Sequence, residues 1–227
     1  IGQPTDYGNR LLVMSDGQSL NDNLLSSSYI GADGRVDLHD VSRIEIVRGP
    51  GSLLYGTGAF SGVVNLVTRP TDGKNGVHGE MGVYDNKVVH GRAGFLYNFA
   101  PQRGMWGSVQ VGSSEGFDAA IPLTGGDPDR PTTVHGVERF TSVGTQGRAY
   151  VGPLTAQWSY HQRDQNVPVG AYATVPGDRR TRIFDRRFMT ELRYEPKINE
   201  KLQVFGRLHA NHYSFQASYH FDEGDSA

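Results

Sequence analysis

From about residue 77 onward, apolar and polar side chains alternate with a period of two, and no other feature constrains the fold as tightly. Val89, Ala93, Phe95, Tyr97 and Phe99 share one face of a segment whose other face carries His90, Arg92 and Asn98, with Leu96 out of place. Val109 and Val111 oppose Ser108 and Gln110. Leu154, Ala156, Trp158 and Tyr160 oppose Thr155, Gln157, Ser159, His161 and Arg163. Phe188, Leu192 and Tyr194 oppose Glu191, Arg193 and Glu195; Leu202, Val204, Leu208 and Ala210 oppose Gln203, Arg207, His209 and Asn211, with Phe205 out of step. Helix-period stripes are absent and 30 glycines are spread along the chain, so the fold class is all-β.

Alternation alone does not say whether protein or lipid covers the apolar face. Loop lengths speak to that choice. Strands expected near 78–84, 88–99, 105–115, 145–151, 154–164, 186–195 and 201–221 leave tight turns at 100–104, 152–153 and 196–200. Long excursions fall at 116–144 and 165–185, and only the connection 85–87 breaks the parity. An up-and-down meander with long loops at one end and tight turns at the other is the pattern of outer-membrane barrels. No run approaches the ~18 apolar residues of a spanning helix, which leaves a barrel open. In the last segment the apolar positions shift from even to odd numbers near Asn211 and His212, which predicts a bulge there.

Residues 1–72 follow other rules. Continuous apolar runs at Leu11–Met14, Ile44–Val47 and Val63–Val67, separated by Gly-rich turns, predict short strands buried on both faces. Within them, residues 41–69 read VSRIEIVRGPGSLLYGTGAFSGVVNLVTR. This stretch resembles the C-terminal half of the plug domain of TonB-dependent outer-membrane receptors, and Arg10 to Asn23 is similar to the plug strand and Asp-Gly turn that precede it. The motif residues are Glu45, Arg48, Gly49, Pro50, Tyr55, Gly56, Gly62 and Asn65. Gly49-Pro50 should end a strand, the later glycines should allow close backbone approach, and Asn65 inside an apolar run needs partners that a turn backbone can supply. The spacing Gly56-x-Gly58-x-x-x-Gly62 lacks the Lys-Ser/Thr of a phosphate loop and does not open a helix.

The resemblance implies a transmembrane antiparallel β-barrel, partial here with about seven strands of an expected 22, around part of a lumenal plug: 1–72 the C-terminal part of the plug, 73–227 the N-terminal part of the barrel. It also implies residence in the outer membrane of a Gram-negative bacterium, with lipid and lipopolysaccharide around it. The implied activity is import of a scarce ligand (a ferric siderophore first, otherwise haem, cobalamin or a glycan) powered by a TonB-type energy-transducing complex. The segment that contacts that complex would precede these residues, and the ends at Ile1 and Ala227 read as those of a fragment or processed piece. Family plug arginines pair with barrel glutamates, so Arg48 would look to Glu80, Glu191 or carboxylates outside the chain.

Candidate ligand contacts are Asn21, Asn23 and Tyr29 near the plug apex, and Tyr172, Arg179 and Arg180 in a long loop. Between 163 and 187, Arg163, Arg179, Arg180, Arg182, Arg186 and Arg187 outnumber Asp164, Asp178 and Asp185, an excess that could attract an anionic chelate or serve as lipopolysaccharide contact or solvated surface. The remaining chemistry is sparse. There is no cysteine, His209 and His212 fall on opposite strand faces, and no carboxylate stands at ligand spacing, so no metal site, cofactor or catalytic set is expected. Lys and Arg (22) nearly balance Asp and Glu (24), which argues against nucleic acid. Two rivals remain: a soluble β-rich adhesin or carbohydrate-binding module, whose apolar faces would meet in a closed core, and a barrel hydrolase, which needs a lumenal nucleophile and base.

Overall fold

The computed structural model describes residues 8–22, 26–27, 36–69, 73–121 and 131–222. Two main sheets account for most of them. The small one is built from β1 (Leu11–Ser15), β2 (Gln18–Ser19), β3 (Val41–Arg48) and β4 (Gly62–Thr68) in the order β2-β1-β4-β3. β1 runs parallel to β4, and β3 antiparallel to it. Both faces of β1 are buried, as its unbroken apolar sequence requires. Leu12 and Met14 pack with Ala59 and Val63, while Val13 packs with Leu20, Val36 and Met189.

Between β3 and β4, Gly49 takes φ 94° to end the strand, and Ser52–Tyr55 forms a one-turn helix, the single helical departure from the all-β expectation in this segment. Gly62 is required by close approach, since a Cβ there would lie 2.8 Å from the Val47 carbonyl oxygen. One expectation fails in this sheet. The run Ile44–Val47 is exposed, because β3 is an edge strand and nothing among the described residues covers it.

The large sheet is a meander of seven antiparallel strands: β5 (Gly76–Tyr84), β6 (Val88–Ala100), β7 (Arg103–Ser114), β10 (Phe140–Val151), β11 (Leu154–Asn166), β12 (Arg182–Tyr194) and β15 (Gly206–Ser218). Two short hairpins interrupt it. β8 (Phe117–Ile121) pairs with β9 (Thr132–Val137) in the long excursion after β7, and β13 (Lys197–Asn199) pairs with β14 (Leu202–Gln203) in the connection after β12. The tight turns at 101–102 and 152–153 and the long excursions after β7 and β11 fall where the sequence indicates, but the connection expected to be tight at 196–200 runs from 195 to 205 and carries the second hairpin. The last segment differs: 202–203 leaves the wall for the β13/β14 turn, and only Gly206–Ser218 pairs with β12.

Register fixes the faces. Glu191, Arg187 and Met189 of β12 reach the small sheet, and so do Arg92, Ser108, Gln146 and Arg148, so these positions define the inner face. Their neighbours form the outer face, where Val77, Met81, Val83, Val109, Val111 and Leu208 are more than half exposed. No second layer covers them among the described residues, so the closed core of a soluble sandwich is not formed.

The predicted bulge near Asn211 is also absent. β12 and β15 pair without a slip from Arg182↔Ser218 to Tyr194↔Gly206. The apolar positions change parity because they change face, with Leu208 and Ala210 outward and Tyr213 and Phe215 inward. A strand that leaves hydrocarbon no longer needs an apolar outer face, and His212, Ser214 and Gln216 occupy it here.

Candidate functional site: the junction of the two sheets

The inner face of the large sheet holds the small one through buried polar nodes. The first gathers on the turn Leu38–Asp40 just before β3. Arg92 donates through Nε to Asp37 Oδ2 and through Nη2 to Asp40 Oδ1, both at 2.7 Å, and all three side chains are at most 3% exposed. The second oxygen of Asp40 accepts from Ser108 and from Gln146 Nε2 (2.8 Å). His39 extends the node, its ring 3.0 Å from Asp37 and 3.1 Å from Glu80 of β5. Burial works against ionisation of Asp37, but the His39 amide, the His39 ring and Arg92 outweigh it and hold the carboxyl below its usual range.

A second node lies at the Asp16-Gly17 turn. Asp16 accepts from the Thr68 amide (3.0 Å) and hydroxyl (2.7 Å) within the small sheet, and from Arg148 (3.1 Å) and Gln157 (3.3 Å) of the large one. In the third, Glu191 accepts from Gln18, Arg193 and Arg207. In the fourth, Arg187 donates to the carbonyls of Leu20 and Asn21. A buried charge is tolerated only with such partners, so each node ties the position of the small sheet to the wall.

The motif residues divide between roles. Asn65 accepts from the Gly17 amide (3.0 Å) and donates to Glu45 (2.9 Å), joining β4 to the β1–β2 turn and to β3. That hydrogen bond, with a further one from Arg43, keeps the Glu45 carboxyl below its usual range. Gly56 closes the helical turn onto Ser52, and Tyr55 and Pro50 are exposed beside it. Arg48 is exposed and meets neither expected partner: Glu80 binds His39, and Glu191 is taken by Arg193 and Arg207.

The candidate ligand residues are not brought together. Asn23 and Tyr29 lie outside the described residues. Asn21 is 8% exposed, and its amide is spent inside the loop, accepting from Val13 N and donating to Leu11 O and Ser26 O. It is a brace, which its position in the resemblance did not reveal. Tyr172 and Arg179 are exposed on the loop after β11. Arg180 is clamped on Asp178 at 2.6 Å with His220 alongside, and its hydrogen bonds hold the Asp178 carboxyl at about 2.

Nor do the six arginines between 163 and 187 form one patch. Arg163 and Arg187 point inward and are buried, whereas Arg182 and Arg186 point outward. Sequence reasoning passed over Asp37, Asp40, Arg92, Ser108 and Gln146 as a set, although Arg92 was placed on the polar face. The signal available was a charged side chain on a strand face too deep to be solvated cheaply.

A small mixed sheet held by buried charges against the inner face of an antiparallel wall, whose outer face is apolar and uncovered, defines a plugged membrane barrel. Comparison with known proteins agrees. The family model described as TonB-dependent Receptor Plug Domain matches residues 2–63. The chain is 42% identical over 55 residues, 24% of its length and 7% of the relative's, to a ferric enterobactin receptor of Pseudomonas aeruginosa. It is 26% identical over 117 residues, 52% of its length and 19% of the relative's, to the vitamin B12 transporter BtuB of Vibrio vulnificus.

Among solved structures, the pyoverdine receptor FpvA of Pseudomonas aeruginosa superposes with a TM-score of 0.62 at 12% identity, covering 91% of this chain and 31% of that one. The ferric yersiniabactin receptor FyuA of Yersinia pestis gives 0.57 at 17% identity, covering 92% and 33%. The chain thus spans about a third of the length of these structures. Residues 2–63 thus match the plug domain of TonB-dependent receptors, and the described residues share the fold of solved outer-membrane receptors.

Proposed function

We propose that the protein is an uptake receptor that binds a ferric siderophore at the cell surface and passes it to the periplasm when a TonB-type complex pulls on the plug. In this reading residues 1–72 belong to the plug and 73–227 to the barrel. The long loops at 115–139 and 167–181 face outward from the cell, where lipopolysaccharide surrounds the wall. The observation that carries the proposal is the junction: four nodes of buried charge hold a small sheet inside the wall. Such nodes suit a part that must seat firmly and yet come away, since a polar interface can re-solvate as water enters, and an apolar one resists opening. Glu45, Gly49, Pro50, Tyr55, Gly56, Gly62 and Asn65 shape the plug, and Arg48 is available for a carboxylate elsewhere in the barrel. Ligand contact falls to Tyr172 and Arg179, together with the apical segment that includes Asn23 and Tyr29.

The siderophore reading draws on the relatives named as ferric enterobactin receptors. The test is uptake. A strain lacking the full-length receptor, grown under iron limitation, is supplied with ferric siderophores or cobalamin, with and without a functional TonB. Receptor- and TonB-dependent uptake of a ferric chelate supports the proposal; uptake of cobalamin alone contradicts the ligand, and uptake independent of TonB contradicts the mechanism.

A further inference from the structure

Three of the four nodes at the junction border one small cavity. Asp16 and Thr68 of the second node, Gln146 of the first and Gln18 of the third line it, together with Trp106 on the inner face of β7. The space measures about 10 Å³, room for a single water-sized sphere. Its walls come from the small sheet on one side and from β7, β10, β11 and β12 on the other, none of which is an edge strand of the meander. The cavity is therefore set by contacts that the described residues make with one another.

Two side chains on this cavity carry buried polar atoms that neither the wall nor the small sheet satisfies. Trp106 is 4% exposed and Gln18 5%, and neither Trp106 Nε1 nor Gln18 Oε1 has a hydrogen-bond partner among the described residues. The two atoms are complementary. The indole N–H only donates and the Gln18 oxygen only accepts. The orientation of the Gln18 amide is fixed by its nitrogen, which donates to Glu191 (3.4 Å); turning the amide over would set its oxygen against that carboxylate. A donor or acceptor buried without a partner is heavily penalised, so a complementary pair on one small space calls for a group that answers both.

We infer that the cavity is a binding site for one water molecule, which accepts from Trp106 Nε1, donates to Gln18 Oε1 and so ties the wall to the small sheet where three nodes meet. The chemistry selects water. The indole N–H refuses a cation and the Gln18 oxygen refuses an anion, and the Asp16 carboxylate on the same space is already engaged by Thr68, Arg148 and Gln157. Ser15 and Ser159, which also line the space, carry hydroxyls that complete the water's shell. The site does not depend on which ligand the receptor carries. It leaves solvent already in place among the charged groups that must hydrate when the plug is drawn away.

The experiment is a crystal structure of the full-length receptor at a resolution that shows ordered water, with leak conductance of variants in planar bilayers as its second arm. One density peak should lie within hydrogen-bond distance, about 2.7–3.2 Å, of both Trp106 Nε1 and Gln18 Oε1. Trp106→Phe, which keeps the bulk and removes the donor, should raise the leak about 10-fold, and so should Gln18→Met. The double variant should leak less than the product of the two effects, because a shared bridge is lost only once. A dry cavity predicts the opposite sign: Trp106 Nε1 would then be an uncompensated buried donor, and Trp106→Phe would leave the leak unchanged or lower it. That result overturns the inference, as does a peak bonded to one of the two atoms only, no peak with both side chains ordered, or independent effects of the two substitutions. Heat-modifiable migration on gels reports whether each variant is folded, and the crystallographic arm decides the matter if one is not. None of these outcomes bears on ligand uptake, so the proposed function stands or falls separately.

Discussion

Replacing Arg92 by methionine is the sharpest perturbation of the junction. The side chain fits the same slot between the turn and β6, but it removes the guanidinium that Asp37 and Asp40 share, whose own side chains are 3% and 1% exposed. Asp40 keeps Ser108 and Gln146, and Asp37 keeps His39, so neither carboxylate loses every partner; what is lost is the opposite charge. Breaking a buried ion pair by removing one member costs about 3–5 kcal/mol. In this case the cost falls on the seating of the plug, and it corresponds to a roughly hundred- to several-thousand-fold rise in the population of the unseated plug. The assay is conductance of the full-length receptor in planar bilayers, with cellular sensitivity to a large antibiotic as a second readout. Arg92→Met should leak. Adding Asp37→Asn and Asp40→Asn in the same chain should recover much of the loss, because no uncompensated charge is then buried. Wild-type conductance in Arg92→Met, or a leak as large from the exposed Lys87→Met, would refute the reasoning.

Further outcomes follow from single positions. Gly62→Ala should destabilise the receptor by about 1–3 kcal/mol in urea unfolding, since the new Cβ meets the Val47 carbonyl at 2.8 Å and must push β3 from β4. The Asp178 carboxyl, held at about 2 by its hydrogen bonds from Arg180, has a folded value below its unfolded one. Its contribution to loop order is therefore fully present above about pH 4 and fades as pH falls through about 2. Amide-exchange protection across 167–181, corrected for the intrinsic rate, should reflect this, changing little between neutral pH and pH 5 and falling over that range in Asp178→Asn. On the outer face, Leu192→Arg should cost about 2–4 kcal/mol in refolding into bilayers if it lies near mid-depth, whereas Thr155→Arg on the inner face should cost far less.

The wall was legible because a period of two survives wherever a strand keeps one face apolar and turns the other toward the small sheet; Phe95, Trp158 and Leu192 declare their face by parity alone. The turn at Asp16-Gly17 and the role of Asn65 were legible because a polar group in an apolar run must be answered nearby. The Asp37–Arg92 lock was not, since its members are 55 residues apart and no local pattern pairs them. Parity misled at Asn211, where a bulge and a change of surroundings leave the same trace in sequence, and only register with β12 separates them. The exposure of β3 was likewise hidden, because an apolar run states that it will be covered without stating by what.

The claim beneath all of this is that lipid covers one face of the wall. A cysteine scan through Leu154–Tyr160 of the full-length receptor in bilayers, with spin labels read by accessibility to oxygen and to a water-soluble nickel chelate, tests it directly. The account predicts that labels at 154, 156, 158 and 160 favour oxygen and that those at 155, 157 and 159 do not. Uniform accessibility along the segment, or oxygen preference at the odd positions, would contradict it.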